Sequence, residues 1–149
     1  MALYADAIRA GSATFEAVAS LIEGIFSAAF ALVATSYTPT YGANGSMTFT
    51  GTSTEVAQYI RIGSYALVWV RVTGTTGGTA NTYITITTPF TIANITRFVG
   101  NGAWVDDSTR KGAFVVPNDT TSVAVGKYDL SNYGLGASRR VAALFLMEI

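Results

Sequence analysis

The chain has 149 residues and a mass of 15.6 kDa, enough for one domain with an appendage, and its nine Lys and Arg balance nine Asp and Glu. That balance leaves no cationic surplus for nucleic acid or anionic lipid, and the absence of His and Cys removes the imidazole base, the thiolate nucleophile, the disulfide and most transition-metal sites. Half the residues are hydrophobic and only 12% are charged, against about 25% in ordinary domains, so the composition points to an oligomer that buries more than one copy can.

The first element, over residues 3–34, is a helix. Ile8, Phe15, Ile22 and Ala29 recur every seven residues, and so do Tyr4, Gly11, Val18, Ile25 and Leu32, which sets out the a and d positions of a coiled coil. Arg9, Glu16 and Glu23 follow the same period one step on, where solvent belongs. From Ile25 to Val33 the helix is apolar nearly all round and has to be covered on most sides. Residues 1–36 are therefore read as an oligomerisation or docking segment, whose helix from Tyr4 to Val33 would be about 45 Å long at 1.5 Å per residue. The uninterrupted apolar run is too short for the roughly 20 residues of a membrane span, and no basic start precedes it, so neither membrane insertion nor secretion is expected.

Residues 37–149 change to period two with turn punctuation, the pattern of an antiparallel β-sandwich or jelly roll of roughly seven to nine strands. Strands are expected at 46–50, 57–62, 65–73, 81–88, 92–99, 103–105, 112–116, 122–128 and 140–147. Gly63-Ser64 reads as a type II′ hairpin turn, Asn101-Gly102 as a second tight turn, and Thr75 to Ala80 as a looser connection. The strand from Tyr65 is apolar on both faces. Ala66, Val68, Val70 and Val72 suit a core, whereas Tyr65, Leu67, Trp69 and Arg71 make a candidate subunit interface, since Tyr, Trp and Arg are favoured contact residues.

Catalytic or ligand chemistry finds little support. Asp106-Asp107 are neighbours on a strand and point apart, while Asp119 follows Pro117-Asn118 and reads as turn chemistry. A calcium site from Asp106, Asp107, Asn118 and Asp119 lacks the spacing of a known loop, so no metal and no cofactor are expected. The glycines from Gly74 to Gly78 lack the lysine and helix of a phosphate loop. Tyr37, Tyr41 and Trp104 are the aromatics most available for stacking on a sugar.

The ordered series Tyr37-Thr38-Pro39-Thr40-Tyr41, Tyr59-Ile60-Arg61-Ile62-Gly63, Leu67 to Thr75 and Thr85-Ile86-Thr87-Thr88-Pro89-Phe90 resembles a β module of tailed-bacteriophage virion proteins, with Thr88 where that module carries Leu. The resemblance implies a non-enzymatic homotrimer in the virion, a fibre- or spike-like projection anchored by its N-terminal helix and serving host attachment. A trimeric capsid decoration or cement protein is the alternative, and a carbohydrate-binding module a second one. The partners implied are other virion proteins, of capsid or tail, and a host-surface glycan. The resemblance supplies no catalytic residues.

Overall fold

Alternating apolar residues and short turns give a mainly β, antiparallel structure. The computed structural model describes residues 33–106 and 109–149; the expected N-terminal helix lies outside the described residues as far as residue 32, and the end of the segment assigned to it, Thr35–Ser36, is a strand that pairs with Gln58 and Tyr59. Nine strands follow in chain order: β1 Thr35–Ser36, β2 Tyr41–Ala43, β3 Met47–Ile62, β4 Tyr65–Gly78, β5 Tyr83–Thr87, β6 Val99–Asp106, β7 Arg110–Pro117, β8 Ser122–Lys127 and β9 Gly136–Glu148. They form one antiparallel sheet in the order β1-β3-β4-β9-β6-β7-β8-β5-β2.

The sheet curls until its two edges meet through a single stretch of chain. β1 and β2 are consecutive in sequence yet pair at opposite ends of the sheet, so the segment joining them acts as a strap. The Tyr37 amide donates to Ala57 O (3.1 Å) on β3, and the Thr87 amide of β5 donates to Thr40 O (3.0 Å). The Tyr41 hydroxyl and Thr54 Oγ1 share a 2.6 Å hydrogen bond across the gap. Beneath the strap, Tyr37 packs edge-on against Tyr59, Tyr59 against Phe90, and Tyr41 against Phe49. Edge-to-face rings of this kind add roughly 0.5–1.5 kcal/mol each beyond their buried area.

The interior is aliphatic and continuous: Val68, Val70 and Val72 of β4, Ile84 and Ile86 of β5, Val123 and Val125 of β8, and Val141, Phe145 and Met147 of β9 are all buried. β-branched residues dominate because they fill a pleated surface with little rotamer freedom to lose. Strand β9 lies inside the order, between β4 and β6, and joins the β1-β3-β4 group to the β6-β7-β8-β5-β2 group.

The hairpin at Gly63-Ser64 is as expected: Ile62 pairs with Tyr65, Gly63 has φ +59°, and Ser64 is not among the positive-φ residues, the sign pattern of a type II′ turn. Four other expectations need correction. Residues 46–50 and 57–62 belong to one strand, β3, whose polar middle is accommodated by register shifts at Gly51/Ser53 and Thr54/Val56 instead of a turn. Thr75 to Gly78 continues β4 and pairs with Met47 to Thr50, so its glycines are strand residues and not a loop. Asn101-Gly102 sits inside β6 at another register shift; there Gly100 is needed for close approach, because a Cβ would run into the Val115 carbonyl oxygen.

The strand expected at 92–99 is the fourth. It is a connection holding a 3₁₀ turn, Ile95–Arg97, in which the Asn94 side chain accepts from the Thr96 amide (2.9 Å) and hydroxyl (2.7 Å). Those local bonds offer the backbone an alternative to a ladder, and Ile92 alone of its apolar residues is buried.

Candidate functional site

The outward side of β3, β4, β9 and β6 carries the surface with most to offer. Strand alternation sends Ala66, Val68, Val70 and Val72 into the core and Tyr65, Leu67, Trp69 and Arg71 outward, so these four sequence-predicted residues share one face. Register then decides their neighbours. Leu67 lies between Ile60 and Leu146, Trp69 between Gln58 and Leu144, and Arg71 between Val56 and Ala142. On the far side of β9, Val99 stands opposite Leu146 and Trp104 opposite Ala142. Ile62, Tyr65 and Val99 are 50%, 37% and 53% exposed, while Leu67, Trp69, Trp104, Leu144 and Leu146 are half-buried.

Between the two indoles the face is hollow. Gly102, Ala142 and Leu144 are small or short beside Trp69 and Trp104, and the resulting trough measures about 530 Å³. Charge is confined to its ends. Glu55 takes the Arg71 guanidinium at 2.6 Å and the Thr73 hydroxyl at 2.7 Å, with Arg140 at 3.8 Å. The Thr73 hydrogen bond, together with the Arg71 and Arg140 charges, holds the Glu55 carboxyl below the usual carboxylate range. The Arg110 guanidinium stacks on Trp104, 4.3 Å from the ring centroid, and at the opposite end Arg97 pairs with Glu148 at 3.1 Å. An apolar centre within a charged rim is how subunit contacts are built.

The other predicted oligomer residues, Ile8, Phe15, Val18, Ile22, Ile25, Ala29 and Leu32, lie outside the described residues. The sequence reading missed the contributions of Ile60, Trp104, Leu144 and Leu146. A signal existed for β9, whose residues from Val141 to Met147 are apolar at both parities, as those of β4 are.

The carboxylates serve turns and ion pairs. Asp119 accepts from the Thr121 amide (2.6 Å) and hydroxyl (2.9 Å) and from the Ser122 hydroxyl (2.8 Å), and these bonds hold its carboxyl down at about 2. Asp129 accepts from the Ser131 hydroxyl (2.6 Å) and amide (2.9 Å), with Lys111 at 3.3 Å, and likewise falls to about 2. The turn role expected of Asp119 is thus what the geometry displays. Asp106 faces Arg110 on β7 and Arg140 on β9, and Asp107 is outside the described residues. Among the described residues no three His, Cys, Asp or Glu side chains gather where they could hold a metal ion.

The expected sugar-stacking trio is only partly available. Tyr37 and Tyr41 are half-buried in the strap, and Trp104 carries Arg110 on its ring. Comparison with family models, with curated proteins and with solved structures gives no match.

Proposed function

We propose that the chain is a non-enzymatic structural subunit of a tailed-bacteriophage virion, assembled as a homotrimer. In this reading the heptads of residues 1–36 join the chains or dock them to the particle, and the β domain, a sandwich of the jelly-roll kind, projects as a fibre- or spike-like knob for host attachment. A trimeric capsid decoration or cement protein is the second reading, in which the same apolar face seats on a shell. The observation that carries the proposal is the outward face around Trp69, Leu144 and Trp104, apolar in the middle and charged at its rim. The phage assignment rests on the ordered motifs from Tyr37 to Phe90.

Light scattering of the full chain tests the assembly. The expected mass is three times 15.6 kDa, reduced by Leu144→Asp, which places a charge in the middle of the contact. A monomer at micromolar concentration refutes the trimer. Detection of the chain in purified particles in multiples of three tests the virion assignment, and its absence from particles ends it.

A further inference from the structure

A second part of the outward surface lies over β7, β8 and β5, beyond Trp104 from the Trp69 trough, and its construction differs. Aromatic residues there stand opposite glycines. Phe114 of β7 pairs with Gly126 of β8, and Gly126 pairs in turn with Tyr83 of β5. Gly112 of β7 pairs with Trp104, and its carbonyl accepts from the Tyr128 amide at 3.2 Å. The Phe114 ring lies across Gly126, and the Tyr128 ring lies over Gly112, where a Cβ would come within 2.9 Å and 3.2 Å of two ring carbons. The missing side chains leave room for each ring against the sheet.

Beside the Phe114 ring runs a groove of about 480 Å³ walled by Thr82, Tyr83, Phe114, Pro117, Asn118 and Leu130, with Val116 and Ala124 as a shallow floor. That volume is in the range of small-ligand clefts, roughly 300–1,000 Å³. Its far wall is held in place. Lys127 donates to the Asn132 carbonyl, the Tyr133 hydroxyl donates to Val125 O at 2.9 Å, and the Asp129 carboxylate ties down Ser131. In this fixed turn Leu130 adopts φ +55° and remains 66% exposed, and Tyr128 is 70% exposed.

From this arrangement we infer that the groove is a saccharide-binding site, its occupant a neutral glycan. A pyranose presents C–H bonds on one face and hydroxyls round its edge. The C–H face, weakly positive, is attracted to the negative face of an aromatic ring, and the edge suits Thr82, Tyr83 and Asn118. Phe114 and Tyr83 stand on the two strands that flank Gly126, so a sugar seated there meets both side chains. Among the described residues no charged side chain lines the groove, so phosphate-bearing chains and acidic glycans find no cation there. A peptide adding as a strand finds no edge either, because β5, β7 and β8 are each paired on both sides. The inference stands independently of the virion proposal.

The test uses the full chain on an array of neutral hexose and N-acetylhexosamine oligosaccharides, followed by calorimetry with the strongest binder. Phe114→Leu and Tyr83→Leu keep apolar side chains on both sides of Gly126 but remove the two rings that line the groove. Each is expected to weaken binding by about threefold to tenfold with an unchanged circular dichroism spectrum, while Ile95→Ser in the exposed 3₁₀ turn leaves binding intact. Silence across the array at millimolar sugar, binding confined to acidic glycans, or equal affinity in both leucine variants overturns the inference. So does a change of assembled mass in either variant, which would make this surface a contact between copies.

Discussion

Replacing Phe145 with Ala tests the packing more sharply than any other single change. Phe145 is fully buried on β9, between Val68 and Gly100 in register, and its ring stacks on Phe98 with centroids 5.2 Å apart. Removing a buried Phe costs about 3–5 kcal/mol, part transfer and part cavity, and the lost ring pair belongs to the upper half of that range. At a urea slope of about 2 kcal/mol per molar, the unfolding midpoint should fall by roughly 2 M. The control is its neighbour: Leu144→Ala trims a half-buried outward side chain and should cost about 1 kcal/mol or less in the unfolding of the chain itself, appearing instead as weakened assembly. Urea curves followed by tryptophan fluorescence at two protein concentrations separate the two effects, because only assembly depends on concentration. A Phe145→Ala cost below 1 kcal/mol, or a Leu144→Ala cost equal to it, would show that the alternation along β9 has been misassigned.

Gly63→Ala should lower stability by about 1–2 kcal/mol, read from the same urea midpoint; its φ of +59° disfavours an L side chain, although a Cβ there would meet nothing within 4 Å. Asp119 and Asp129 should titrate at about 2 by carboxyl NMR, against an ordinary 3.8. Because their folded values are depressed, the stability they contribute is fully present above about pH 4 and is lost as the pH falls toward 2; Asp119→Asn should flatten its part of that acid limb. A normal carboxyl value would mean that the turn bonds are not formed in solution.

Much of the β domain is legible in local chemistry. The Gly63-Ser64 turn specifies its own hairpin, and the apolar runs of residues 65–72 and 140–147 mark two strands covered on both faces. What the chain does not write locally is which strand lies beside which. Trp104 joins the face of Trp69 only because β9 comes between β4 and β6, a pairing of residues far apart in sequence. Glycine proved ambiguous for a related reason. At Gly63 it supplies a positive φ, whereas at Gly100, Gly112 and Gly126 it makes room for a carbonyl or a ring from the neighbouring strand, and sequence alone does not distinguish these uses. The polar stretch from Gly51 to Glu55 looks like a turn, yet it is carried within one long strand by two register shifts.

The central position of β9 governs how the domain can be made. During synthesis, β3 and β4 can close as a hairpin and β6, β7 and β8 can follow as a meander, but each group then ends in an unsatisfied strand edge, β4 on one side and β6 on the other. Those edges stay open until residues 136–148 have left the ribosome and slot between them. The nascent chain therefore passes through a stage with two sticky edges, and a shortage of chaperone, or a ribosome stalled before Gly136, should yield aggregates and not a smaller folded product.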